Sequence, residues 1–207
     1  MRRLYIATFV GFACIAGAAM IVWYLSWQPP SWYRPPEGSE ESVSRMADRA
    51  EFRLVEEFQK IRQPEETWRL RIGDDAMNAW LATRLAAWLT HEHELTLPEE
   101  VSTPQVHVTE DGVWLGAMVD MGEASRRPLA VRIRLTVQNE DLLVEPDAIR
   151  VGRMPVPLFS FRGMLERASG ELPSVDSVVE LMDDRTVQIL AIDLEPGAMI
   201  LTLRTLP

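Results

Sequence analysis

Leu129-Ala130-Val131-Arg132-Ile133-Arg134-Leu135-Thr136-Val137-Gln138 alternates large apolar side chains with mostly polar ones. A period of two places Leu129, Val131, Ile133, Leu135 and Val137 on one face of a β-strand and the arginines on the other. Strands with one apolar and one wet face belong to antiparallel sheets packed on a core. Just upstream, Gln105 to Thr109, a turn at Glu110-Asp111-Gly112, and Val113 to Met121 read as a hairpin. Downstream, Asn139-Glu140-Asp141 turns the chain into a strand from Leu142 to Gly152. Thr186 to Leu194 and Ala198 to Leu206 form a last hairpin around Glu195-Pro196-Gly197. Short helices are expected around Leu158 to Ala168 and Ser174 to Met182.

The segment before the hairpin is helical. From Glu41 to Ile61, Val43, Met46, Ala50, Leu54, Phe58 and Ile61 fall on one stripe at helical spacing. Ser39 or Ser42 is placed to cap it, and Pro64 marks its end. Thr67 to Ile72 alternates like a short half-buried strand. Gly73-Asp74 then caps a second helix from Asp75 to about Thr90, with Met77, Trp80, Leu81, Leu85, Trp88 and Leu89 on its apolar face. Helices first and an antiparallel sheet afterwards define an α+β class.

The N-terminus has a different character. Leu4 to Trp27 is uncharged and almost wholly apolar, 24 residues long. At about 1.5 Å per residue such a helix spans roughly 36 Å, enough to cross a hydrocarbon layer of about 30 Å. Arg2 and Arg3 precede it and no basic residue follows until Arg34, so the N-terminus is expected in the cytoplasm and the rest outside. Trp23, Tyr24, Trp27, Trp32 and Tyr33 cluster at the exit, where amphipathic rings favour the headgroup layer. A cleaved signal peptide, with Ala16-Gly17-Ala18 as its site, is the rival. Met20 to Leu25 continues the apolar run past that site, which favours retention as an anchor. Cys14 lies mid-span rather than at the end of the run and reads as a small apolar residue, not a lipidation site. The chain therefore divides into residues 1–27, a cytoplasmic stub and transmembrane anchor; residues 28–42, a Pro-rich linker expected to act as a semi-rigid spacer; and residues 43–207, an extracytoplasmic domain. The expected product is a single-pass membrane protein of a bacterial envelope.

Charge and cysteine usage narrow the partners. The chain has 21 basic and 31 acidic side chains; setting aside Arg2 and Arg3 leaves 19 basic, a net of −12 outside. Such a domain will not bind nucleic acid by neutralising phosphates, nor adhere to anionic lipid through bulk charge. Its contact with membrane lipid is the anchor. Cys14 is the one cysteine, so the outer domain has no disulfide and stands on packing.

Catalytic signatures are missing from the sequence: no Gly-x-Ser-x-Gly elbow, no phosphate-cradling glycine loop and no dinucleotide fingerprint. His91-Glu92-His93-Glu94 has metal-like side chains, but His residues two apart do not share a helix face and further ligands are wanting. No cofactor, metal or enzymatic activity is expected, although a hydrolase is not excluded. What stands out is apolar and adaptable: five tryptophans and eight methionines lie beyond the anchor. Leu54, Phe58, Trp80, Trp88, Trp114, Met118, Val131, Ile133, Leu135 and Val137 are the candidates to line an elongated ligand groove. Within the span, Ala7, Gly11 and Ala18 share a face on which two helices can approach closely, so a homodimer is a further candidate assembly.

Three features resemble the YpmS-type family of single-span bacterial envelope proteins. They are the N-terminal anchor leading straight into the outer domain, Ala76-Met77-Asn78-Ala79-Trp80-Leu81 after a short strand, and Val151-Gly152-Arg153-Met154-Pro155-Val156-Pro157 leading into a helix. That family is in turn similar to bacterial relatives of the tubular lipid-binding (TULIP) fold, in which a long helix packs inside a curved antiparallel sheet with lipid between them. The resemblance implies amphipathic helices on a curved sheet and supplies no catalytic residues. The chain departs from it in its arginine and tryptophan content and its linker prolines. Two functions follow as expectations: an anchored domain binding lipid or another apolar ligand in a groove between helix and sheet, for transfer or sensing; or a non-catalytic scaffold or assembly subunit that binds an envelope protein.

Overall fold

The computed structural model describes residues 2–92, 95–122, 125–138, 141–161, 175–181 and 185–206. A first helix, α1, runs Arg2–Trp27, and its 26 residues correspond to about 39 Å of helix. Among the described residues, which include α1 side chains only from Phe12 onward, no helix is long and apolar enough to cross a membrane. α2 follows at Glu40–Gln59, its first turn capped by the Ser39 hydroxyl, which accepts from the Ser42 N–H at 3.3 Å. The helix stops before Ile61, which therefore leaves the expected stripe and is 98% exposed.

β1 (Thr67–Gly73) leads directly into α3 (Asp74–Thr83) and α4 (Leu85–Glu92). The single helix expected from Asp75 to Thr90 is thus broken at Arg84. Two local causes are visible. The Thr83 hydroxyl donates back to the Ala79 carbonyl at 2.8 Å, a contact that bends helices. Arg84 itself is drawn to α2, where it meets Asp48, Glu51 and Ser44.

The rest is strand: β2 (Val101–Thr109), β3 (Gly112–Asp120), β4 (Arg126–Gln138), β5 (Asp141–Val151), β6 (Met154–Val156), β7 (Val175–Asp176), β8 (Val178–Glu180), β9 (Thr186–Glu195) and β10 (Ala198–Thr205). They form two antiparallel sheets rather than one. One is four-stranded in the order β1-β10-β9-β8; the other is six-stranded in the order β2-β3-β4-β5-β6, with β7 also paired to β5. The expected helix around Leu158 to Ala168 is represented by a 3₁₀ turn at Leu158–Phe161, and its remainder lies outside the described residues. The expected helix from Ser174 to Met182 is corrected where it is described: β-branched Val178 and Val179 add an edge strand to β9 instead.

Two clusters hold the helices to the sheets. Leu54 and Phe58 of α2 pack on Trp68, Leu70, Val187 and Leu203 of the four-stranded sheet, with Phe58 edge-on to Trp68 at 5.5 Å. Met77 and Leu81 of α3 pack on Val106, Val108 and Val113 of the six-stranded sheet, joined there by Leu194 and Met199 from the other sheet. α2 and α3 touch through Val43, Ala47 and Ala79, whose small side chains allow a close approach.

β2 ends the six-stranded sheet, so its outward backbone groups need partners. Side chains on α3 supply them. Asn78 Nδ2 donates to the Val106 carbonyl at 2.9 Å, and Asn78 Oδ1 accepts from the Val106 N–H at 2.7 Å. Asp74 Oδ1 accepts from the Val108 N–H at 3.0 Å, and the Gly197 N–H of the β9–β10 turn donates to the Val108 carbonyl at 3.0 Å. A helix and the neighbouring sheet's hairpin together complete this edge. Asn78→Ala strips both partners from Val106 and is expected to cost about 2–3 kcal/mol, since each orphaned group is worth about 1–3 kcal/mol. Urea denaturation of the full chain reads this as a lower midpoint at unchanged slope.

Candidate functional site

Between α2, β1 and α3 lies a groove of about 940 Å³. Its floor is apolar, with Leu54 on α2, Leu70 and Ile72 on β1, and Met77, Trp80 and Leu81 on α3. The sequence positions these by two periods at once. The strand period sends Leu70 and Ile72 to the side facing α2, and the helical period sends Met77, Trp80 and Leu81 to one face of α3. Trp80 is held edge-on by Trp88 of α4, ring centroids 5.8 Å apart. The volume falls within the range of small-ligand sites, roughly 300–1,000 Å³.

The rim is charged. Lys60 and Arg62 pair with Glu57 at 2.5 and 3.1 Å; hydrogen bonding from Lys60, then the charges of both, holds its carboxyl below the usual glutamate range. Glu51 faces Arg84 at 3.7 Å.

Of the ten candidates read from the sequence, the structure brings Leu54 and Trp80 into this groove. Trp88 stands behind Trp80 and is 42% exposed. Phe58 is closed into the core beside Trp68. The other five strand residues and Trp114 belong to the six-stranded sheet, on opposite faces. Val131, Ile133, Leu135 and Val137 alternate onto one, where Ile133 and Leu135 join the core under α3. Trp114 and Met118 alternate onto the other.

That second face is covered by the segment leaving α1. Trp32 stacks on His107 at 5.4 Å and lies 6.4 Å from Trp114. Gly116 opposite them leaves the room: a Cβ there would stand 2.6 Å from Trp32 and 3.1 Å from Tyr33. The buried Tyr33 hydroxyl donates to the Thr103 carbonyl at 2.7 Å, a group turned outward where Thr103 takes a φ of 48° in the irregular part of β2. At the sheet end, the Arg153 N–H donates to the Leu25 carbonyl at 3.0 Å and its Nε to the Pro29 carbonyl at 3.1 Å. Arg127 reaches the Ser26 hydroxyl at 3.3 Å and lies over the Trp27 ring at 4.9 Å. At Gly152, φ +60°, a Cβ would run into the Leu25 and Ser26 carbonyls, so only glycine lets the chain approach there. Residues 25–33 are thus docked, not a free spacer, and the exposed extended part is confined to residues 34–38.

His107 is more than a polar face residue. Its Nδ1 lies 2.8 Å from Asp74 Oδ2, so it ties the start of α3 to Trp32. Among the described residues it makes no hydrogen bond to a hydroxyl, and no group of three or more His, Cys, Asp or Glu side chains is placed to hold a metal. His93 lies outside the described residues. Sequence reasoning missed Asp74 and Asn78 as edge partners and treated Asp74 as a cap; their four-residue spacing, which puts two short polar side chains on one helix face, was the available signal. No protein-family model matches the chain, and no curated protein matches it.

Two outcomes check the docked segment. Gly116→Val is expected to displace Trp32 and open residues 28–42 to protease, read as faster cleavage there by mass spectrometry. Burial raises the Tyr33 phenol above its ordinary value of 10, against the Thr103 hydrogen bond. A raised pKa means that its stabilisation is complete below the unfolded value of about 10 and is lost as pH climbs through the folded one. An alkaline titration of tyrosinate absorbance should therefore show a late step that Tyr33→Phe removes.

Proposed function

We propose that this chain is a bacterial envelope protein, held in the membrane by α1 with its N-terminus in the cytoplasm, whose outer domain binds lipid or another apolar ligand without catalysis, for transfer or sensing. The observation that carries the proposal is the open groove with an apolar floor and a charged rim, bounded by α2, β1 and α3. Apolar surface kept open at this scale is unfavourable unless something covers it part of the time, at about 25 cal/mol per Å² of exposure. The anchor rests on the uncharged run from Leu4 to Trp27 and on a helix of matching length. The exposed rings of Trp23 and Tyr24 near the end of α1 suit the headgroup layer. The sequence resemblance to YpmS-type and TULIP-like proteins points the same way.

A second function, a scaffold for an envelope assembly, draws support from Phe52 and Val55, three residues apart on the outer side of α2 and 70% and 49% exposed.

The test is extraction. The full chain is purified from membranes, extracted with organic solvent and examined by mass spectrometry, beside an Ala50→Trp variant that fills the groove from α2. An apolar compound at near-stoichiometric level that drops severalfold in the variant is the expected result. Equal lipid in both samples would leave the scaffold as the better account.

A further inference from the structure

The two sheets end on edge strands that are finished in opposite ways. β2 has its outward groups at Val106 and Val108 taken by Asn78, Asp74 and Gly197. β1, which ends the other sheet, has no such cover.

The phase of its ladder follows from the two flanking bonds: the Thr205 N–H donates to the Glu66 carbonyl at 3.1 Å, and the Asp74 N–H to the Gly197 carbonyl at 2.9 Å. With Thr67 opposite Arg204 and Gly73 opposite Ala198, these make Trp68, Leu70 and Ile72 the residues that exchange bonds with β10. The N–H and C=O groups of Arg69 and Arg71 then point to the outer edge, and both residues line the groove. Among the described residues no backbone or side-chain group bonds to them there. Same-side groups two residues apart stand about 6.6 Å from one another along a strand.

Two guanidinium groups on α2 beside this edge are also unspent. Arg49 and Arg53, one turn apart on α2, line the groove and make no ion pair among the described residues, whereas Arg71 pairs with Glu195 at 3.7 Å and the strand period turns the Arg69 side chain to the face opposite Leu70. The lining carboxylates are mostly engaged. Glu57 is held by Lys60 and Arg62, and Glu51 faces Arg84. Asp75 sits in the first turn of α3, where the helix N-terminus favours its charge, and Glu56, three residues after Arg53 on α2, makes no ion pair among the described residues. In a chain of net charge −10, two unpaired cations on α2 beside an open strand edge and an apolar floor select for one kind of ligand.

We propose that the groove takes an amphiphile with an acidic head, a carboxylate or a phosphate. Its acyl part covers Leu54, Leu70 and Trp80, and its head lies at the rim of Arg49 and Arg53, where the Arg69 and Arg71 N–H groups can donate to it. This rests on the apolar-ligand function proposed above and specifies its ligand class.

The test uses the full chain in phosphatidylcholine nanodiscs and three diazirine photoprobes of matched chain length: a fatty acid, a phosphatidylglycerol and a neutral fatty alcohol. Labelled peptides are mapped by mass spectrometry. The acid or the phosphatidylglycerol is expected to label residues 46–57 and 69–81 about tenfold more than the alcohol, the equivalent of one charge-assisted hydrogen bond. Whichever is stronger identifies the source of the acidic head. Arg49→Gln and Arg53→Gln combined should abolish that preference while leaving labelling by the alcohol unchanged. Equal labelling by all three probes would overturn the acidic head and leave the apolar groove standing. Absence of groove labelling by any probe would overturn both.

Discussion

The architecture depends on how the free edge of β2 is closed. An edge strand presents a row of donors and acceptors that must be satisfied or it will recruit another chain. Here Asn78 reproduces the pairing of a strand residue with its side-chain amide, donating and accepting at Val106, while Asp74 accepts from Val108 and the Gly197 turn donates to it. One short helix thereby stands where a further strand would lie. The two sheets are joined through it, since Gly197 belongs to the β9–β10 hairpin and Val108 to β2.

The groove is a consequence of that arrangement. α3 is committed to β2 by its polar face and to Val106, Val108 and Val113 by Met77 and Leu81, so it cannot also close against β1. α2 touches α3 where Val43, Ala47 and Ala79 permit, and beyond that contact it bridges to the four-stranded sheet through Leu54 and Phe58. The space left between them is lined by side chains that face inward for reasons of packing and keep part of their surface open. At the other face of the six-stranded sheet, the end of α1 and the segment after it are fixed by Arg127, Arg153, Tyr33 and Trp32. The orientation of the domain relative to α1 is therefore built into the fold rather than left to a flexible tether.

Much of the element order was legible because it rests on local periodicity. The alternation from Leu129 to Gln138, the final hairpin around Glu195-Pro196-Gly197, the strand from Thr67 and the helix capped by Ser39 all appear where their residues indicate. What was not legible depends on contacts distant in sequence. Whether the strands form one sheet or two is decided by β1 joining β10 across the length of the domain, which no window of residues reveals. The helix break at Arg84 reflects its attraction to Asp48 and Glu51 on another element. Prolines suggested a spacer, and residues 34–38 fit that, but Trp32 and Tyr33 found a seat because Gly116 leaves space for their rings. Little of the candidate groove was legible for the same reason: of the ten candidates Leu54 and Trp80 lie in it, while strand residues of equal apolarity went into the core or onto the opposite face.

A helix, a strand edge and a second helix enclosing apolar space beside unpaired arginines form a receptacle more readily than a closed core. The most direct check is an experimental structure of the full chain purified from membranes in mild detergent. The account predicts elongated non-protein density lying over Leu54, Leu70 and Trp80 between α2 and the outer edge of β1. Trp80 and Met77 of α3 closed onto Leu54 and Ile72, with no space and no such density between them, would contradict it.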